Sequence, residues 1–341
     1  HKEKSLHKND RVGDMKKVLV TGASGFIGST LIDRLLEAAT YEVYAGVRKT
    51  SDRKYLQDSR IKFIDVAFSS PERLKQQLSE ENFDCIFHFA GLTKAKHLDD
   101  FEKVNFLLTK NLVDAIDPQK TKLIYLSSFA AHGPGEEVHF TKAKISDENK
   151  PNTAYGRSKL KAENYINSAF KGKYVIFRPT GVYGPRETDY FVFFQTIDNH
   201  IEPYLGFVPQ HLTFIYSKDL VEVCLKAFES EVSGKTYFVS DGKMYLDSDF
   251  AAITKQVLHK RTLKLKFPLF IVRWISAFLD SFGRMIGKQF TLNNDKFAIL
   301  AARNWECDIE DLKRDLNFEP KYDLQKGVEE AIAWYKKEKW L

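Results

Sequence analysis

Lys17-Val-Leu-Val-Thr21 is a β-branched run, and Gly22-Ala-Ser-Gly25-Phe-Ile-Gly28 follows it directly. A helical pattern over residues 29–39 comes next, with Leu31, Ile32, Leu35 and Leu36 on one face. Glycines between a strand and a helix let the backbone turn tightly and present the free N–H groups of a helix N-terminus to an anion. Three glycines alone carry little weight, but their place at the first strand-to-helix turn makes this a dinucleotide-binding signature.

Working outward, residues 41–47, 62–66, 83–89, 123–127 and 174–177 read as further strands, with helical stretches at 71–78, 100–116 and 153–170. The strands are apolar without polar alternation, which predicts a parallel sheet covered on both faces. The expected fold is therefore α/β, a doubly wound (Rossmann) domain over 15–180. Beyond residue 180 the alternation loosens, although 236–239 reads as a strand and 249–257 as a helix. Residues 181–341 are expected to form a smaller, mixed α/β part, mainly substrate-binding, with some segments returning to the first sheet.

The 341 residues carry 52 Lys plus Arg against 46 Asp plus Glu, with 43% hydrophobic and 29% charged residues, which excludes collagen-like, disordered and disulfide-scaffold chains. No basic block is dense enough to imply a nucleic-acid partner. Cys85, Cys224 and Cys307 are far apart and show no metal-ligand spacing, so reduced thiols, no metal and a cytoplasmic location are expected. Residues 1–14 have no apolar run and read as a leader or added remnant, with the natural start at Met15.

Residues 267–286 (FPLFIVRWISAFLDSFGRMI) are apolar enough to suggest a membrane span. On a helix, however, Arg273, Asp280 and Arg284 fall on one narrow stripe, which a span would not carry through hydrocarbon. An amphipathic helix packed on its own domain is expected; a lid over an apolar substrate and a peripheral membrane contact are the other readings.

Twenty residues after Gly28, where an NAD site has a carboxylate for the ribose, stand Arg48 and Lys49. A guanidinium grips a 2′-phosphate that a carboxylate would repel, so NADP(H) is expected over NAD(H). A solvated basic strand end is the plainer reading. Tyr155 and Lys159 lie one turn apart on the face of a helix. A neighbouring ammonium and a positive nicotinamide would lower the phenol's pKa toward usefulness in proton transfer. Ser128, at a strand end 27 residues earlier, could bond a substrate oxygen.

These pieces together resemble the extended short-chain dehydrogenase/reductases, also called the NAD-dependent epimerase/dehydratase superfamily. The resemblance rests on Thr21-Gly-Ala-Ser-Gly-Phe-Ile-Gly28, His88-Phe-Ala-Gly91, Asn105, Leu126-Ser-Ser128, Tyr155-x-x-x-Lys159, Arg178-Pro-Thr-Gly-Val-Tyr-Gly-Pro185 and Phe214-Ile-Tyr-Ser-Lys-Asp219, with 311–334 like the family's ending. It implies Tyr155 as acid/base, Lys159 on the nicotinamide ribose and Ser128 on the substrate oxygen. It also implies cofactor contacts from Gly22, Ser24, Gly25, Phe26, Ile27 and Gly28 in the loop. Asp65 and Val66 would flank the adenine, Phe89, Ala90, Gly91 and Asn105 would border the cofactor's middle, and Pro179 and Val182 would approach the nicotinamide. Thr93, Lys94, Phe129, His132, Gly181 and Tyr190 are candidate substrate contacts. The plain readings are solvated loops for Thr93, Lys94 and His132, and ordinary packing for Tyr190, which otherwise belongs to a segment covering the pocket.

Two departures bear on the substrate. Gly181 stands where sugar-nucleotide members commonly have Asn, and Leu212 where they tend to have Arg. Arg178-Pro179 and the segment after Pro268 resemble the 3β-hydroxysteroid dehydrogenase and dihydroflavonol reductase branches. The expected activity is interconversion of a small, apolar ketone and its alcohol. A nucleotide-sugar epimerase or dehydratase with tightly held NAD is the alternative, and a non-catalytic NADP sensor a third reading. The resemblance further implies a homodimer pairing the helices at 100–116 and 153–170.

Overall fold

The computed structural model describes residues 15–95, 97–286, 290 and 292–341. The leader reading of 1–14 and the side chain of Arg284 lie outside the described residues. Seven parallel strands form the central sheet. Six come in succession: β1 (Lys16–Thr21), β2 (Tyr41–Gly46), β3 (Lys62–Ile64), β4 (Cys85–His88), β5 (Lys122–Leu126) and β6 (Tyr174–Pro179). The seventh, Lys235–Val239, pairs with β6 at the edge, giving the order Lys235–Val239, β6, β5, β4, β1, β2, β3. This is the Rossmann-like fold that the strand pattern predicts.

The middles of β1, β4 and β5 are fully buried, because helices cover both faces. One apolar layer joins helices Phe26–Ala38 and Ser217–Glu229 to the sheet. The opposite layer takes side chains from Pro71–Glu81, Leu108–Ala115 and Ala154–Ala169. The order reverses between β1 and β4, where Thr21 lies in register with His88. Such a switch point opens a crevice at the strands' carboxyl ends.

The helix expected at 100–116 runs over Leu98–Phe101 and Leu108–Ala115 with a π-helical stretch, Glu102–Leu107, between them. Asn105 sits in that stretch, and such bulges occur often at functional sites. Apart from Lys235–Val239, the strands described after β6 form three two-stranded pairs, and an aromatic core that includes Phe194, Phe214, Phe250 and Tyr335 lies in this part.

Helix Leu269–Ile286 is the amphipathic helix expected, but it turns its large apolar side chains outward. Its inward side carries the buried Val272, Ser276 and Gly283, whereas Phe270, Trp274, Phe278 and Met285 are exposed. Asp280 accepts a hydrogen bond from Asn294 Nδ2 at 2.7 Å. The helix thus packs on its own domain through small side chains and leaves its large apolar ones outside. No helix among the described residues is long and apolar enough to cross a membrane.

Candidate active site

The glycine loop is held by steric necessity. Gly22 has φ +67°, and a Cβ there would lie 2.8 Å from the backbone of Phe89 and Ala90. A Cβ on Gly28 would sit 2.2 Å from the Gly22 carbonyl oxygen, so any side chain would push the helix off the loop. Helix Phe26–Ala38 has no side-chain cap at Gly25 and no acidic residue in its first turn. Its leading N–H groups and dipole are left for an anion. The cradle fits the pyrophosphate of a dinucleotide.

Behind the loop a buried network ties β1 to β4. Thr109 Oγ1 donates to the Asn105 carbonyl at 2.8 Å, so it accepts from His88 Nε2, 2.9 Å away. Thr21 Oγ1 then donates to Nδ1 at 2.7 Å and accepts the Phe89 and Ala90 N–H groups, both at 3.1 Å. Every group is satisfied only with a neutral imidazole. Burial pushes the His88 pKa down to about 3, with the Lys159 charge acting in the same direction.

Arg48 and Lys49 are exposed just beyond β2, and neither has a carboxylate partner among the described residues. Asp65 is exposed beyond β3, and the Val66 Cγ2 methyl lies 3.1 Å from where a Gly46 Cβ would be. Asn105 anchors the turn after β4: its Oδ1 accepts the Leu92 N–H at 2.7 Å, and its Nδ2 donates to the Leu92 carbonyl and to Ser158 Oγ. Ser158 Oγ donates in turn to the Tyr155 carbonyl at 2.7 Å. A Cβ on Gly91 would meet Lys159 Nζ at 3.1 Å, so the turn passes directly over the lysine.

Tyr155 and Lys159 project from helix Ala154–Ala169, whose start is capped twice. Thr153 Oγ1 accepts the Gly156 N–H at 2.9 Å, and the Asp295 carboxylate accepts the Ala154 and Tyr155 N–H groups at 3.2 and 3.1 Å. The half-buried Tyr155 phenol is pushed above its ordinary pKa by burial, and its hydrogen bond with Ser128 opposes the rise. The lowering expected from Lys159 does not act in the chain by itself. Lys159 is pushed down to about 8 by burial, against the attraction of Glu163, and its Nζ donates to the Leu126 carbonyl at 3.0 Å. Ser128 Oγ accepts the Ala130 N–H at 3.1 Å at the end of β5. One turn beyond Lys159, Glu163 accepts hydrogen bonds from Ser127 and from Arg178 Nε and Nη2, the last at 2.5 Å, in a buried pair.

The candidate substrate residues divide. Thr93 is exposed, and Lys94 pairs with Asp189 at 2.5 Å. Phe129 is buried against Phe238 and Trp305, with ring centroids 4.7 and 5.3 Å away. His132 is not a solvent-facing loop residue: the short turn Phe129–Ala131 carries it inward, where the Phe129 and Phe238 rings pack on it. Its Nδ1 lies 2.8 Å from the Gly133 carbonyl, and its Nε2 has no partner among the described residues. Tyr190 packs on Phe214 and Phe250, and its hydroxyl would be 2.3 Å from a Cβ on Gly181. Pro179 is buried at the end of β6, and Val182 is partly buried in the short strand that follows.

Sequence reasoning missed several supporting residues. Glu163, at i+4 from Lys159, was findable by spacing. His88 was visible only as part of a motif. Asp295, 140 positions from Tyr155, and Trp305 give no local signal, since only the C-terminal fold brings them near.

Comparisons with known proteins point to one family. The family described as "NAD dependent epimerase/dehydratase family" matches residues 18–240. The chain is 25% identical over 325 residues to UDP-glucose 4-epimerase of Vibrio cholerae, covering 93% of this chain and 94% of that protein. It is 22% identical over 346 residues to the decarboxylating sterol-4-alpha-carboxylate 3-dehydrogenase of Saccharomyces cerevisiae, covering 93% and 97%. Among solved structures, UDP-glucuronic acid 4-epimerase from Bacillus cereus in complex with NAD superposes with a TM-score of 0.74 at 20% identity, covering 94% of this chain and 99% of that one. The glycine cradle, the Tyr155–Lys159 helix and a family match over well over half of the chain lead to one conclusion: this is an enzyme belonging to the NAD dependent epimerase/dehydratase family.

Proposed function

We propose that the protein is an NADP(H)-dependent oxidoreductase interconverting a small, apolar ketone and the corresponding secondary alcohol. The supporting observation is the neutralised, aromatic character of the substrate side. Three cations among the described residues are engaged: Arg178 by Glu163, Lys94 by Asp189, and Arg303 by the carbonyls of Ala301, Leu205, Val208 and Leu300. A diphosphate drawing on any of these three would have to break its contacts. The space beside Gly181 is filled by the Tyr190 ring, and the partly buried Trp305 and Val182 border the apolar core that holds Phe129 and Phe238.

When bound, the cofactor gives or takes a hydride at the nicotinamide. The chain's own groups do the rest. The glycine loop and helix N-terminus would hold the pyrophosphate, Arg48 and Lys49 the 2′-phosphate, and Asp65 and Val66 the adenine. Ser128 Oγ orients the substrate oxygen, and Tyr155 delivers the proton to it in reduction or removes it in oxidation. Lys159, already desolvated, would hold the ribose hydroxyls, and its charge would favour the phenolate. Two copies pair through the helices that contain Asn105 and Tyr155.

The alternative, epimerisation or dehydration of a sugar nucleotide with retained NAD, is favoured by the relatives named above, among them UDP-glucose 4-epimerase. Following NADPH oxidation over a panel of hydrophobic ketones, beside turnover of UDP-sugars, separates the two. Our reading expects ketone reduction and inert UDP-sugars; epimerised UDP-sugar without net NADPH consumption would overturn it.

A further inference from the structure

Helix Leu269–Ile286 shows solvent a face that a soluble protein would bury. Residues on it with large apolar side chains span about 160° of the circumference at 100° per residue. Phe270 is 66% exposed, Trp274 77%, Phe278 66% and Met285 74%, with Ile275 and Phe282 between them. Phe207, on the loop next to the helix start, extends the patch; the Gly206 N–H donates to the Phe267 carbonyl at 2.8 Å. Contiguous apolar patches of this size mark interaction surfaces.

The charge around this face identifies its occupant. Between Phe250 and Asp280 the chain carries Lys255, Lys260, Arg261, Lys264, Lys266 and Arg273, and no carboxylate. Lys255 pairs with Glu202 and Lys260 with Asp198. Arg261, Lys264, Lys266 and Arg273 have no carboxylate partner among the described residues, and all four are exposed. An aromatic-rich apolar face bordered by unpaired cations is what an anionic lipid interface accommodates: rings enter the acyl boundary and cations meet the headgroups. A second copy on the same face would bring like charges together across the two-fold axis, which opposes self-association.

We propose that helix Leu269–Ile286, with the preceding basic strand Leu263–Phe267, seats the protein in the interface of an anionic phospholipid membrane without crossing it. The position has a consequence for the active site. Asp280 holds Asn294, and the neighbouring Asp295 caps the Tyr155 helix, so the membrane-facing helix is two contacts from the catalytic tyrosine. The membrane contact itself stands without the redox reading and is tested without any substrate.

The test is co-sedimentation of the full chain with vesicles of phosphatidylcholine alone and of phosphatidylcholine with one-third phosphatidylserine, together with quenching of tryptophan emission by brominated lipid. The expected result is at least fivefold more bound protein on the phosphatidylserine vesicles, with quenching. Trp274→Glu/Phe278→Glu should abolish binding, and Lys264→Glu/Lys266→Glu should lower it to the phosphatidylcholine level. These positions are exposed, so melting temperatures should not move; if a variant nevertheless misfolds, the vesicle comparison and quenching on the unmodified chain still decide. Protein that stays in solution with both vesicles overturns the proposal. So does binding indifferent to both variants, or a dimer that Trp274→Glu dissociates in the absence of vesicle binding.

Discussion

The parallel sheet and the C-terminal part achieve order by different means. In the sheet, backbone register does the positioning: Thr21 and His88 are neighbours because β1 pairs with β4, and Ser128 stands two residues past the end of β5. In the C-terminal part, positioning depends on single side chains reaching across long gaps, as Asp295 does to Tyr155 and Asn294 to Asp280. The difference teaches where chemistry and where adaptation reside. A register-built site tolerates little change, whereas a side-chain-built wall can alter its lining and expose one helix face while the sheet keeps its geometry. If so, single substitutions should cost much in the first region and little in the second.

The largest effect is expected at Tyr155→Phe, which keeps the ring and removes the proton. Turnover on a reducible ketone should fall by about 10²–10⁴-fold while cofactor affinity stays within a factor of two, read by steady-state kinetics and nucleotide fluorescence titration. Glu163→Gln leaves Arg178 buried without its counter-ion and should cost about 3–5 kcal/mol in urea unfolding. A loss below 1 kcal/mol would break the claim that the sheet region is rigidly specified.

His88 supplies a pH test. Its folded pKa, about 3, lies below the unfolded value of 6.5, so the unfolded chain binds the extra proton between these limits. The stability tied to the neutral ring is complete above pH 6.5 and is lost as pH falls toward 3. Between pH 7 and 4.5 the unmodified chain should lose roughly 2–3 kcal/mol more than His88→Gln, measured by denaturant melts at both values. Parallel curves would sink the account of a neutral, buried His88.

Arg48→Asp should reduce the preference for NADPH over NADH roughly ten- to hundredfold, the worth of one charge-assisted contact. An unchanged ratio would place the 2′-phosphate elsewhere. Asp295→Asn, which keeps the acceptor and removes the charge, should cost only about 0.3–1 kcal/mol in thermal unfolding. A much larger loss would show that the C-terminal contacts are as demanding as the sheet's.

The same contrast explains what was legible in the sequence. Apolar runs, the glycine turn and the i, i+4 pair are local patterns, so the sheet and the Tyr155–Lys159 face could be read directly. The burial of His132 against Phe238, the packing of Tyr190 on Phe214 and Phe250 and the Asp295 cap depend on contacts between segments far apart in the chain, which no local period encodes. The periodicity of 269–286 showed an amphipathic helix but not its facing: Val272, Ser276 and Gly283 suit close packing on the domain, and the larger side chains were left outside.

The most direct test of the central claim is to denature freshly purified protein and identify the released nucleotide and its stoichiometry. The account predicts little or none, and then uptake of NADPH in preference to NADH by the emptied site. Near-stoichiometric NAD would contradict it, since a cofactor reduced and reoxidised within one turnover has no need to leave.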